Sequence, residues 1–133
     1  MTTQIKQLEP AFISKGYLHT YVIGSENEGG YIYAKYLVPD GENKESLLTM
    51  PFSQLNATYG APQGNFEVFL HKVRKENTMT IGGTTVNYPA CVAYPSDNDF
   101  GNTAWSCYTL ERAKEKLSFE VERRKKEIAD ETI

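Results

Sequence analysis

The chain has 133 residues, of which 40% are hydrophobic and 23% are charged, and its formal net charge at pH 7 is −3. This length and composition predict one globular domain over residues 1–133 with a core of its own. The charge is small and indicates no basic surface of the kind that binds a phosphate backbone, so nucleic-acid binding is disfavoured. The first residues lack the apolar run of a signal peptide, and no stretch is long and apolar enough to span a bilayer. We therefore expect a cytoplasmic protein without membrane contact.

Two segments rich in aromatic and β-branched residues predict the first hairpin. They cover residues 17–23 and 31–38 and flank a glycine-rich turn at 24–30. Period-two alternation gives each strand one face that carries the following residues: Tyr17, His19 and Tyr21 on the first strand, and Tyr31, Tyr33 and Leu37 on the second. Both faces of this hairpin are expected to be partly buried.

The middle of the chain has weaker patterns. Residues 47–50 predict a short strand. Residues 65–76 fit two periods, because the apolar residues at 66, 69, 70 and 73 recur at helical spacing, whereas those at 66, 68 and 70 alternate as in a strand. We favour a helix at 65–76 and keep a strand as the alternative.

The next segments predict more β-structure. Gly82 and Gly83 join two threonine-rich runs, 78–81 and 84–88, and this pattern is typical of a tight hairpin. Residues 88–94 and 103–108 predict further strands on either side of a polar loop at 95–102.

The C-terminal region predicts a long helix at about residues 110–130. Thr109 is a suitable N-cap, and apolar residues recur near helical spacing after it. The basic run 123–126 lies among glutamates, so it predicts a solvated helix with salt bridges and not a nucleic-acid site. The fold class is therefore α+β: the β-rich part at 12–108 forms an antiparallel sheet of about five or six strands. The C-terminal helix packs on this sheet, joined by one shorter helix if 65–76 is helical.

Several patterns that carry chemistry in other proteins are incomplete here. Asp97, Asp99 and Gly101 resemble the start of a calcium loop, but the sixth and twelfth positions hold Asn102 and Tyr108 where that loop needs Gly and Glu. The better interpretation is a turn in which these side chains satisfy backbone donors. Cys91 and Cys107 lack metal or redox spacing, so we interpret them as small core residues. No metal and no cofactor is predicted.

An enzyme remains an alternative. Its imidazoles would be His19 or His71, and no nucleophile or metalloprotease motif accompanies either of them.

The aromatic content has two interpretations: amphipathic tyrosines on half-exposed sheet faces, which is the commoner case, and a binding surface. The nine tyrosines and the tryptophan exceed what a core of this size needs, and such residues dominate binding sites. Our leading hypothesis is a non-catalytic protein that binds a protein partner or a small polar ligand, as accessory or inhibitory proteins of phages and mobile elements do. The alternative to both binding and catalysis is a structural protein that self-assembles as a homo-oligomer through residues 110–130. The candidate binding residues lie on the predicted sheet and in the 95–102 loop: Tyr31, Tyr33, Asp97, Asp99, Phe100, Trp105 and Tyr108.

Overall fold

The computed structural model of the chain describes residues 7–38, 41 and 43–131, with side chains for all of these except residues 77, 88, 97 and 128–131. The strands are β1 Ala11–Ser14, β2 Tyr17–Ser25, β3 Gly30–Leu37, β4 Phe66–Leu70, β5 Val73–Arg74, β6 Asn77–Ile81, β7 Thr84–Tyr88, β8 Cys91–Val92 and β9 Ala104–Cys107. The helices are α1 Lys44–Thr49, α2 Phe52–Tyr59 and α3 Leu110–Glu131, with a short 3₁₀ turn at Asp97–Asp99.

The centre of the fold is an antiparallel sheet of five strands in the order β1-β2-β3-β4-β9. Strands β5 and β8 form a small separate ladder, and β6 and β7 form a hairpin. The predicted α+β class with a five- or six-stranded antiparallel sheet and a C-terminal helix is therefore confirmed. Among the residues described, no helix is both long and apolar enough to cross a membrane.

The helices cover one face of the sheet, which we call the helix-covered face. Leu18, Ile32 and Val68 from the central strands are at most 1% exposed there. They pack with side chains of all three helices, namely Leu47, Leu55, Ala113, Leu117 and Val121. Apolar burial on this face supplies the main core of the domain.

Helix α3 begins as its sequence predicts. The Thr109 hydroxyl accepts a hydrogen bond from the backbone N–H of Arg112 at 3.2 Å, which is the geometry of an N-cap. One stripe of the helix, Ala113, Leu117 and Val121, is buried against the sheet. This stripe is therefore already used within the chain, and pairing of 110–130 with a second copy stays a prediction for its other faces.

The basic run lies in ion pairs and hydrogen bonds along α3. Arg123 contacts Glu120 at 2.7 Å and Glu127 at 2.6 Å, and Lys125 lies 3.5 Å from Glu122. Arg124 donates to the carbonyl oxygen of His71 at 2.7 Å and so ties the helix to the end of β4. The predicted salt-bridged helix is confirmed.

The prediction of a strand at 47–50 is wrong, because these residues end α1. The Asn43 side chain caps this helix by accepting from the Glu45 backbone N–H at 3.0 Å. Leu47 then reaches the core and is 2% exposed. A helix of six residues offers too little periodicity to be recognised from its apolar pattern.

The preferred helix at 65–76 is also wrong, and the strand alternative is correct for 66–70. Strand β4 lies between β3 and β9, and each of its five residues is buried. A strand that is covered on both faces has no reason to alternate polar and apolar side chains. Its apolar residues then match helical spacing by coincidence.

The other strand predictions have mixed outcomes. Both predicted hairpins are present, as β2–β3 and β6–β7. The predicted strand at 88–94 is reduced to the end of β7 and the two residues of β8, because Pro89 interrupts it and cannot donate to a ladder. The strand at 103–108 is present as β9.

Candidate functional site

The second face of the sheet is covered over only part of its area. Near the beginning of β3 and the end of β4, Tyr31, Tyr33 and Phe69 form an aromatic cluster with Val92 and Ala104. The segment after β8 covers this cluster, and its Tyr94 ring lies 4.9 Å from the Phe69 ring and 5.4 Å from the Tyr33 ring. Tyr94 therefore marks the boundary between the covered part of this face and the part that opens to solvent.

Beyond Tyr94 lies a pocket of about 350 Å³, which we call the sheet-face pocket. Residues of β1, β2, β3, β4, β9 and the 94–100 segment line it: Phe12, Ser14, Lys15, Tyr17, His19, Lys35, Glu67, Tyr94, Pro95, Phe100 and Ser106. Its volume lies within the ordinary range for small-molecule sites, near the lower end.

A chain of polar contacts runs along the pocket, and we call it the polar chain. Nδ1 of His19 lies 2.9 Å from the Tyr94 hydroxyl, which donates to Oε2 of Glu67 at 2.6 Å. Oε1 of Glu67 pairs with the Lys35 ammonium at 3.1 Å. His19 is 7% exposed and Glu67 is 5% exposed, so two of the four groups are buried polar side chains.

Strand register brings most of these groups together. His19 of β2 lies directly opposite Lys35 of β3, and Phe12 of β1 lies opposite His19. Glu67 of β4 lies opposite Ser106 of β9. Because residues on directly opposite positions share a face, these side chains all point to the same side of the sheet.

The polar chain determines where its protons lie. Tyr94 has one hydroxyl proton, which it donates in the hydrogen bond to the Glu67 carboxylate. The Tyr94 oxygen therefore accepts the hydrogen bond from His19. This hydrogen-bond pattern assigns to neutral His19 the tautomer with its proton on Nδ1. The short distance between Tyr94 and Glu67 is that of a hydrogen bond to a charged acceptor.

Burial shifts the pKa values of His19 and Tyr94 in this chain. Burial lowers the pKa of His19 below its usual value of 6.5, and the Lys35 ammonium acts in the same direction. The Glu67 carboxylate and the Ser14 carbonyl act against this shift. Burial, together with the charge and hydrogen bond of Glu67, raises the pKa of Tyr94 well above its usual range, so the phenol stays protonated.

Aromatic rings form the walls around the polar groups. The Phe12 ring stacks on the His19 ring with centroids 4.6 Å apart and an interplanar angle of 4°. The Lys35 ammonium lies 4.7 Å from the centre of the Tyr17 ring. The pocket thus combines flat apolar surfaces with a small number of converging polar groups, as ligand sites commonly do.

The predicted binding residues are dispersed. Phe100 lines the sheet-face pocket and is 38% exposed. Tyr31 and Tyr33 lie in the aromatic cluster with 6% and 1% exposure, so their rings are core residues. Their hydroxyls are satisfied internally, by Nδ1 of His71 at 3.0 Å and by the Glu9 carbonyl at 2.7 Å respectively.

Asp99, Trp105 and Tyr108 are not among the residues that line the pocket. Asp99 accepts from the Ser96 backbone N–H at 2.9 Å and lies 3.5 Å from the Lys72 ammonium, which confirms the turn interpretation for this carboxylate. The side chain of Asp97 lies outside the described residues. Trp105 is half-buried at the sheet edge and Tyr108 is 80% exposed. A binding role at these positions stays a prediction.

Sequence analysis missed Lys35, Glu67 and Tyr94 as site residues and named His19 only as the imidazole of an enzyme. A signal was available, because Lys35 and Glu67 each interrupt an otherwise apolar strand. A charged residue in a buried strand needs a partner of opposite charge, and Lys35 and Glu67 are partners of each other. The partner could not be identified without the register.

The other features of the fold give weaker site candidates. A larger pocket of about 660 Å³ lies between β1, β2 and the α1–α2 connection, and its described lining residues carry no formal charge. Cys91 and Cys107 are free thiols, and Cys107 packs at the edge of the main core. Within the described ranges, no group of three His, Cys, Asp or Glu side chains is placed to hold a metal ion.

The fold and pocket define this chain as a small α+β domain with a polar, aromatic-walled pocket on its sheet. Comparison with known protein families, with curated protein sequences and with solved structures finds no match. Functional inference therefore depends on the geometry of the site.

Proposed function

We propose that this chain is a binding protein without catalytic activity and that its ligand is a small polar molecule held in the sheet-face pocket. The observation that carries the proposal is the ion pair between buried Glu67 and partly exposed Lys35 at an open pocket. An ion pair with a buried member contributes little net stability compared with apolar packing, because the buried charge loses its hydration. Ligand sites commonly place a few charged or polar groups beside apolar walls, and here the pair adjoins space of ligand size.

The alternative of a purely structural pair is weakened by where the pair lies. The part of the same face around the aromatic cluster is closed by Tyr94, Phe69 and Val92, so the fold is able to fill this surface with apolar side chains. The part at the sheet-face pocket stays open, and the polar groups lie in that part. This separation of covered apolar and open polar regions supports a binding role.

The proposal is tested by screening a fragment library against ¹⁵N-labelled protein. Fragments that bind should shift the backbone amides of residues around His19, Lys35 and Ser106 together. Replacing Phe100 by Ala should weaken the binding of those fragments, since Phe100 is a partly exposed wall of the pocket. The matched control is Phe119→Ala, which removes an aromatic ring that is 64% exposed and does not line this pocket. Shifts spread over the surface, or an equal effect of both variants, would reject the pocket as the ligand site.

A His-dependent enzyme is the second candidate, and the contact between His19 and Tyr94 favours it. Tyr94 and Glu67 orient the His19 ring through Nδ1, as an acid–base histidine requires. The two functions differ in the fate of the ligand. A ligand captured from host extract and identified by native mass spectrometry stays unchanged if the protein only binds. Conversion by the wild type that His19→Gln abolishes would establish the enzyme.

A further inference from the structure

We infer that the ligand of the sheet-face pocket is a flat aromatic ring that carries one anionic group, such as a carboxylate or a phosphate. This inference rests on the proposed binding function and specifies the class of ligand. It is drawn from the accessibility of the two charges in the pocket, from the unused donors of Lys35 and from the shape of the walls.

The positive charge is the accessible member of the ion pair. The Lys35 side chain is 25% exposed, whereas the Glu67 side chain is 6% exposed. Both oxygens of Glu67 are already engaged, one by Lys35 and the other by Tyr94. A ligand that enters the pocket therefore meets an ammonium group and not a carboxylate, although the chain as a whole has a net charge of −3.

Lys35 also has donor capacity left for a ligand. Its ammonium has three N–H groups, of which one is directed to Glu67. The Tyr17 ring lies beneath the charge at 4.7 Å and stabilises it through the ring face. At least one N–H of Lys35 therefore remains for an anionic oxygen.

The walls favour an aromatic partner. The Phe12 ring stacks directly on the His19 ring, and Tyr17, Tyr94 and Phe100 supply further ring surfaces around the same space. Ser14 and Ser106 contribute hydroxyls to the lining. Aromatic faces bind other rings by offset stacking or edge contacts, and the volume of about 350 Å³ accommodates one or two fused rings.

Four probes test the inference on the wild-type protein, with binding followed by titration of backbone amide shifts. Benzoate and phenyl phosphate carry both features, benzamide keeps the ring without the charge, and inorganic phosphate keeps the charge without the ring. We expect the better of the two aromatic anions to bind at least about tenfold more tightly than either benzamide or inorganic phosphate. The comparison of benzoate with phenyl phosphate identifies the anionic group.

Two variants isolate the role of the Lys35 ammonium. Replacing Lys35 alone leaves Glu67 buried without its cation and threatens folding, so Glu67→Gln is the background for both proteins. Glu67→Gln alone removes the anionic partner of Lys35, so this variant should bind the aromatic anion more tightly than the wild type does. The double variant Lys35→Met/Glu67→Gln should bind it about tenfold more weakly than Glu67→Gln, with benzamide changed by less than about twofold. Lys125→Met, which removes an ammonium that is 67% exposed on α3, is the charge-matched control and should bind like the wild type.

Three results would overturn the inference. The first is benzamide binding as tightly as the aromatic anions. The second is equal binding of the anion by Glu67→Gln and by the double variant. The third is the absence of saturable shifts with every probe up to about 10 mM. The first two leave the proposed binding function intact, because a ligand still occupies the pocket. After the third, the fragment library decides whether the pocket binds ligands of another class or none.

Discussion

Removing the Tyr94 hydroxyl is the most direct test of the polar chain. The substitution Tyr94→Phe keeps the ring, whose contacts with Phe12 and Phe69 are both at 4.9 Å between centroids. It deletes the donor to Glu67 at 2.6 Å and the acceptor for His19 at 2.9 Å. Any loss of stability therefore reports on the hydrogen bonds and not on packing.

The expected cost follows from the charge of the acceptor. A hydrogen bond to an ionised group contributes about 1.5–3 kcal/mol, and a neutral one contributes about 0.5–1.5 kcal/mol. Glu67 keeps the Lys35 ammonium at 3.1 Å after the substitution, so part of its loss is compensated. We expect Tyr94→Phe to lower the free energy of unfolding by about 2–3 kcal/mol.

Urea unfolding at pH 7 measures this difference, and Tyr36→Phe is its matched control. Tyr36 is 3% exposed on the helix-covered face, and its hydroxyl donates to the neutral Gly60 carbonyl at 3.1 Å. That variant should lose only about 1 kcal/mol. A cost for Tyr94→Phe no larger than that for Tyr36→Phe would refute the reasoning that the hydrogen bond from Tyr94 to Glu67 is a strong, charge-assisted one.

Three further predictions concern titration, packing and capping. Because burial lowers the pKa of His19 in the folded state, the unfolded chain takes up its proton first as the pH falls below 6.5. The free energy of unfolding should thus decline as the pH falls below 6.5, and His19→Gln should make the urea midpoint depend less on pH in that range. In Gly30→Ala the new Cβ would lie 2.5 Å from the Phe69 carbonyl and 2.7 Å from Leu117, so thermal unfolding should show a cost of about 3 kcal/mol. Gly16→Ala, whose φ of +82° is strained but whose surroundings are open, should cost about 1 kcal/mol, and equal costs would contradict the packing argument. Thr109→Ala should lower the free energy of unfolding by about 1 kcal/mol in the same assay, and Thr109→Ser should be close to wild type. An unchanged stability of Thr109→Ala would contradict the N-cap role of Thr109.

Local signals identified the elements whose formation depends on neighbouring residues. Gly29 between β2 and β3 and the Gly82–Gly83 pair have φ > 0 in the turns, and both hairpins are present. Thr109 starts α3 through a hydrogen bond three residues away. Each of these signals is contained within a few residues, so the sequence is sufficient to read it.

Strand β4 shows where local signals fail. All five of its residues are buried, so no exposed polar face marks it as a strand. The helices cover Phe66, Val68 and Leu70, and on the other face Phe69 lies in the aromatic cluster and Glu67 in the wall of the pocket. Helix α1 was not predicted for a different reason, since its six residues give less than two turns of periodicity. In both cases the surrounding structure decided the outcome.

The site was predicted least well, because its members are far apart in the sequence. His19 and Tyr94 are separated by 75 positions, and Tyr94 and Glu67 by 27. The predicted aromatic residues were chosen by type, and the structure uses Tyr31 and Tyr33 to fill the core of the second face. Residue type alone does not distinguish a tyrosine that binds from one that packs.

The sequence by itself determined the α+β class, the two hairpins and the C-terminal helix, since caps, turns and β-propensity act within short windows. Only the tertiary structure decided that β4 is a strand, which part of the second sheet face stays open, and that Lys35 and Glu67 meet there. These outcomes depend on strand register and on burial between distant segments, where shifting one strand by a single residue would send its side chains to the other face.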